Sequence, residues 1–250
     1  MSSQPGNATP EGLLCESCGY PLGGLADASM CPECGDPVAE SNPARRGGPA
    51  WERDPSVLGW CFTVAAMLRR PGQSFRELRV GGSALRARLY VLSVAVACFL
   101  NPATVLGMLA GDPRWVAVGL LTVKLVVVLT YLEALGLVVI GRQRGWRLPF
   151  AHAERVVAYA ATGWLIGVPV AWGLAGLFVL MTTRSGGGLL LDLPGFGGVA
   201  APPGFWLAAG ALSFALIALP FEVLAYIGGR RCRYANDGPS PAFDRLSAKG

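Results

Sequence analysis

The sequence predicts an α-helical membrane protein: a four-span helical bundle with a minimal zinc ribbon at its N-terminus and an amphipathic helix at the membrane interface. Three observations lead there. The 250-residue chain is 52% hydrophobic and only 15% charged, with a mean hydropathy of +0.45, too apolar for a soluble domain of this size. Four stretches, about 88–110, 115–140, 155–181 and 205–228, approach or exceed the ~20 residues that cross a hydrocarbon core. Ahead of them stand two matching brackets, Cys15-Glu16-Ser17-Cys18-Gly19 and Cys31-Pro32-Glu33-Cys34-Gly35.

Residues 1–12 are expected to lack fixed structure, and 13–37 to form the metal module. A C-x-x-C places two sulfurs on one turn, where both can bind one tetrahedral ion. The glycine that follows permits the tight backbone that brings N–H groups toward the thiolates. Four sulfur ligands, Cys15, Cys18, Cys31 and Cys34, make a closed structural site for one zinc per chain, with no open position for a reacting water. An iron site of rubredoxin type and a pair of disulfides are the other readings of the same residues. The connection between brackets is short, so the module reduces to two turns and a link. Cys61, Cys98 and Cys232 belong to no motif and read as small core or surface residues.

Residues 38–55 read as a linker, because Ser41-Asn42-Pro43 and Arg46-Gly47-Gly48-Pro49 disfavour both helix and strand. Interfacial helices follow over 56–86. Asp54-Pro55-Ser56 opens the first, with Asp54 as cap and Pro55 at the first helical position. Its apolar run, Val57 to Leu68, is too short to span before Arg69-Arg70-Pro71 stops it. Ser74 to Glu77 has capping-box spacing for a second short helix ending at Gly81-Gly82. The bundle occupies 87–228. Gly111-Asp112-Pro113 makes spans one and two an antiparallel hairpin. The connection 182–204 reads as a glycine- and proline-rich loop around the apolar island Leu189 to Leu193. A cytoplasmic tail, 229–250, closes the chain.

Charge sets the orientation. Of 21 Lys and Arg, nine precede the first span, four lie between spans two and three, and five follow span four. Only Arg114 and Arg184 fall in the other connections, so both termini are expected in the cytoplasm. No basic start followed by an apolar core marks a cleavable signal peptide. The net charge of +5 then reports topology and attraction to anionic lipid in the bilayer. The reducing cytoplasm favours thiolate–metal chemistry over disulfides.

Lys124, Glu133 and Glu222 are the charged groups at membrane depth. Each is costly there by several kcal/mol, so each is expected to face the bundle or a hydrated cavity and find a partner. They form either a polar site, serving as proton path, ion path or pocket, or a set of structural contacts. Gly163, Gly167 and Ala171 line one face of span three, which suits close helix packing within the bundle or in a homodimer. Glu133 and Glu222 precede the cytoplasmic Arg by similar spacings, and Arg88 and Arg155 precede Pro102 and Pro169 alike, a faint two-plus-two repeat. His152, the single histidine, reads as a solvated surface imidazole. No P-loop, dinucleotide fingerprint or nucleophile elbow is present.

The string from Cys15 to Leu25, with Cys31-Pro32-Glu33-Cys34-Gly35, resembles the short zinc ribbon that heads many bacterial membrane proteins. The membrane part, with Arg70-Pro71-Gly72-Gln73-Ser74-Phe75-Arg76-Glu77-Leu78 before the first span and Arg155-Val156-Val157-Ala158-Tyr159-Ala160 at the third, is similar to the Yip family of multi-span proteins. That family usually has five spans, against four here. The resemblance implies a bundle that organises membranes and carries over no chemistry.

Two functions compete on this reading. One is a non-enzymatic adaptor of the bacterial inner membrane, whose bundle anchors a cytoplasmic zinc ribbon for a protein partner. The other is a transporter or membrane enzyme using Lys124, Glu133 and Glu222. Nucleic acid is disfavoured as a partner, because residues 13–37 hold Glu16, Asp27, Glu33 and Asp36 but no Lys or Arg. A zinc tetrathiolate adds negative charge, so the module suits a basic surface, on a partner or on the Arg-rich linker of its own chain.

Overall fold

In the computed structural model, the described residues are 12–25, 29–79, 82–111, 113–171, 173, 190–193, 196–200 and 203–236. The expected unstructured start and most of the 182–204 connection lie outside them, as do the later part of span three and the tail beyond 236. The chain is mostly helical. It divides into two compact units, the first made of 1–92, 128–160 and 224–250, the second of 93–127 and 161–223.

In the first unit, the metal module leads into a stretch that is ordered, where a linker was expected. Short 3-10 turns at Val38–Ser41 and Pro43–Arg45 precede a single helical turn, α1 (Ala50–Arg53). Long-range polar contacts supply what local propensity lacks. Arg46 donates to the Leu78 carbonyl at 3.0 Å, and the Gly48 N–H donates to the Glu77 carbonyl at 3.0 Å.

Helix α2 (Val57–Arg69) is capped by Ser56, whose hydroxyl accepts from the Gly59 N–H at 3.1 Å. Asp54, the expected cap, instead accepts from the Ser56 hydroxyl, and Pro55 stays outside the helix. The helix turns Gly59, Thr63 and Met67 inward and leaves Val57, Leu58 and Phe62 exposed. Helix α3 (Pro71–Arg76) begins three residues before the expected capping box, since Pro71 already supplies the helical φ of a first position, and it ends before Gly82.

The expected first span is two helices, α4 (Ala84–Phe99) and α5 (Pro102–Leu109). Proline disfavours the helical conformation at the residue before it, and Asn101 exploits the break. Its buried side chain donates to the Cys98 carbonyl at 2.8 Å, ending α4, and accepts from the Thr104 N–H at 3.2 Å, starting α5. Gly111, at φ +77°, makes the turn that follows. Helix α6 (Arg114–Gln143) then runs for 30 residues, about 45 Å. Gly107 and Gly119 let α5 and Phe99 lie against its first turns, in the antiparallel hairpin expected there. Among the described residues, α6 is the one helix long and apolar enough to cross a membrane. Most of its apolar residues face outward.

Helix α7 (Phe150–Ala160) is buried along its length from His152 onward, and a 3-10 turn, Ala161–Gly163, separates it from helical residues 164–171. In the second unit, Gly163 and Gly167 bring this segment onto the backbone of the long helix α8 (Pro203–Arg231) at Pro220, Phe221 and Ile217, and Trp164 stacks on Phe221 with ring centroids 4.8 Å apart. The Gly163 and Gly167 part of the small-residue face is therefore occupied by a helix of the same chain. The apolar island of the outer connection forms a strand, β1 (Leu190–Leu193), antiparallel to β2 (Phe196–Ala200), where a loop was expected.

Candidate metal centre and buried charge cluster

The module is two copies of one hairpin. In the first, Leu14 and Pro21 pair across the bracket, and the Gly19 N–H donates to the Cys15 carbonyl at 2.7 Å. In the second, Met30 and Pro37 pair likewise, and the Gly35 N–H donates to the Cys31 carbonyl at 2.9 Å. Gly19 and Gly35 sit at φ +83° and +75°, a conformation any Cβ would strain, which explains the glycine after each bracket. Leu13, Leu22 and Val38 close a small core around Cys15 and Cys31.

The four sulfurs lie within 4.8 Å of one another. Cys15 Sγ is 3.5 Å from Cys34 Sγ, and Cys18 Sγ is 3.7 Å from Cys31 Sγ. A tetrahedral ion with metal–sulfur bonds of about 2.3 Å needs sulfur separations of about 3.8 Å, so the ligand set fits one metal ion. These separations are also far longer than a disulfide bond. Burial opposes the Cys31 thiolate, but N–H groups of Cys34 and Glu33 outweigh it and hold its pKa down to about 7. At Cys18 burial pushes the pKa up to about 12. Metal binding at neutral pH therefore releases protons.

The chain's own basic and polar groups cover this module. Arg46 forms a buried ion pair with Glu16, and Arg233 donates to the Ser17 carbonyl. Asn236 accepts from the Leu14 N–H at 2.9 Å and donates to the Leu14 carbonyl at 2.8 Å and the Ser41 carbonyl at 3.0 Å. The Tyr234 ring lies against Gly19. The tail just after α8 is thus bound to the first knuckle.

A second polar centre surrounds α7. Glu52, on α1, is buried and accepts from Arg155 and from the Tyr159 hydroxyl, the latter at 3.0 Å. Arg155 and Tyr159 stand four apart on one face of α7. Tyr90 of α4 packs on Tyr159 with centroids 4.9 Å apart, and Trp51 lies 6.1 Å beyond. Gly82 leaves room for the Arg155 guanidinium, which a Cβ there would overlap. One residue along, buried Glu154 receives two bonds from Arg88, at 2.7 and 3.4 Å.

His152 is buried, not solvated, because α7 is buried from this residue onward. Desolvation, with Arg46 and Arg155 nearby, lowers its pKa to about 3, so the imidazole is neutral at pH 7. Cys232 is likewise buried, donating to the Phe75 carbonyl at 3.4 Å, and burial pushes its pKa up to about 12, which leaves it inert. Cys98 is buried and Cys61 exposed.

The three membrane-depth charges stand on the two long helices. Lys124 and Glu222 are exposed on α6 and α8, and Glu133 is half-buried on α6. Sequence reasoning missed Glu52, Arg46 and Asn236, whose partners lie 103, 30 and 222 residues away. The usable signal was the Arg155–Tyr159 spacing, since two polar side chains on one helical face need a common partner. No family model, curated protein or solved structure matches this chain.

Proposed function

We propose that the protein is a non-enzymatic membrane adaptor: a four-span bundle with both termini in the cytoplasm, displaying a zinc ribbon that binds one zinc through Cys15, Cys18, Cys31 and Cys34 and presents its outer face to a protein partner. The observation that carries the reading is the closed ligand set, four sulfurs within 4.8 Å with all four positions taken. Such a site stabilises a surface and leaves no place for a substrate. The module's inner side is held by Arg46, Arg233 and Asn236, while Tyr20 and Met30 stay exposed on it as apolar contacts for a partner.

The alternative, a transporter or membrane enzyme using Lys124, Glu133 and Glu222, has less support. Two of its three residues, Lys124 and Glu222, are exposed, and Glu133 is half-buried. The decisive experiment is capture from detergent with wild type and Cys18→Ser. A partner retained by wild type and lost by a variant that stays in the membrane supports the adaptor. Transport or turnover abolished by Glu133→Gln or Glu222→Gln in folded protein overturns it. Reporters at Gly250 are expected to be active only in the cytosol, and one inserted near Gly187 only outside.

A further inference from the structure

We propose that the cleft between α1 and the start of α4 binds the phosphate headgroup of an anionic phospholipid. The cleft encloses about 370 Å³ and is lined by Arg53, Arg79 and Arg86, with Gly47, Gly82 and Ser83 at its edge. The single acid in the lining, Glu52, is already engaged by Arg155 and Tyr159. Among the described residues, the three lining guanidiniums therefore have no carboxylate of their own.

Two of them are anchored and keep donors to spare. Arg79 spends Nε on the Arg46 carbonyl at 2.9 Å, and Arg86 spends Nη1 on the Glu52 carbonyl. Each retains further N–H groups, and an arginine fork matches two phosphate oxygens. The Arg53 guanidinium forms no hydrogen bond or ion pair among the described residues. Ser83 caps α4, a 16-residue helix whose positive end adds to the field.

The surroundings identify the anion as lipid. Beyond Ser83, α4 exposes Leu85, Leu89 and Leu92, at 65%, 45% and 51%. After Arg53, α2 exposes Val57, Leu58 and Phe62. Trp51 ties these elements together, its backbone N–H donating to Thr63 of α2 and its indole N–H to the Arg86 carbonyl of α4. A basic cleft set between two exposed apolar helix faces fits a molecule with a phosphate at one end and acyl chains at the other. The larger cavity beside the metal module, about 490 Å³, has no such bias. Its Arg76, Arg230, Arg231 and Arg233 share the lining with Glu16, Asp36 and Glu40, so both signs of charge are present.

The inference rests on the membrane reading, and the experiment separates the two. Full-length protein in nanodiscs of phosphatidylcholine, alone or doped with phosphatidylglycerol, is assayed for retained phosphatidylglycerol by native mass spectrometry. Each arginine near an anionic headgroup contributes roughly fivefold. The triple variant Arg53→Gln/Arg79→Gln/Arg86→Gln should therefore retain at least tenfold less. Arg45→Gln/Arg142→Gln/Arg144→Gln, with the same charge loss outside the cleft, should match wild type within twofold. Gly47→Glu adds a carboxylate where a Cβ meets no other atom, and it should weaken binding without touching an arginine. Equal losses in both triple variants, or retention by Gly47→Glu and the cleft variant alike, overturn the site. Full displacement by millimolar inorganic phosphate overturns the lipid as its occupant. Release of wild type from membranes by alkaline carbonate would instead overturn the membrane reading.

Discussion

The metal module and the cluster around α7 both bury charge in the first unit, and they solve the problem in opposite ways. The module gathers four thiols from 20 residues of chain, and the backbone that presents them is set by local turns, with Gly19 and Gly35 at positive φ. The α7 cluster gathers Glu52, Arg155 and Tyr159 across more than 100 residues, and nothing near Glu52 in sequence announces its partners. A local site needs an ion to make it stable. A long-range site needs the rest of the fold in place first, and it then fixes which helix meets which.

The largest test of that contrast is metal removal. A segment of some 25 residues cannot bury enough apolar surface to fold alone, and structural zinc supplies about 10–16 kcal/mol to modules of this kind. Stripping the metal, or Cys31→Ser, is expected to open residues 13–38 to protease while α7 stays protected from hydrogen exchange. Loss of protection at α7 in step with the module would show that the two regions are one cooperative unit. Elemental analysis of reduced protein should give one zinc per chain. Iron, or no metal after reducing purification, would overturn the zinc assignment.

Next in size is the Glu52–Arg155 pair. Removing one partner of a buried pair strands the other and costs about 3–5 kcal/mol, whereas replacing both with apolar groups of similar size is often neutral. Arg155→Met is therefore expected to lower the thermal midpoint sharply, and Glu52→Leu in the same chain to restore most of it. Zinc content should not change in either variant. A double variant no better than the single would mean that the Tyr159 hydroxyl and the Arg86 bond to the Glu52 backbone, not the ion pair, hold α1 to α7.

These two tests also mark what the sequence could and could not convey. The metal ligands were legible because spacing alone puts Cys15 beside Cys18 and Cys31 beside Cys34, and apolar length alone placed α6 over the expected second span. Three other readings failed, two of them for one reason. The linker is ordered and His152 is buried because contacts made elsewhere in the chain outweigh local propensity, whereas the first span is broken locally, where Asn101 ahead of Pro102 reaches both helix ends. Arg46 illustrates the point. As one of nine basic residues before the first span it looked like a topology signal, yet it is buried against Glu16 and the Leu78 carbonyl.

The smallest effect is a pH dependence at His152, and it separates α7 from the module by sign and by window. With its pKa near 3 in the folded protein and near 6.5 unfolded, the imidazole is neutral in both states above pH 6.5 and takes nothing from stability there. As the pH falls below 6.5 the unfolded chain binds a proton that the folded chain refuses, so stability declines down to about pH 3. At pH 5 the loss is about 2 kcal/mol, from one and a half pKa units at 1.36 kcal/mol each. Arg46 and Arg155, the charged groups beside the ring, both oppose its protonation, so neither softens the decline. Acid also strips metal by protonating the thiolates, which is why wild type alone is uninformative. His152→Phe keeps the ring's bulk and removes the titration. The difference in thermal midpoint between variant and wild type, followed from pH 7.5 to 4.5, should shift in the variant's favour as pH falls, with zinc content equal in the two at every point. A constant difference would place the imidazole in contact with water and return it to the solvated role its sequence context suggested.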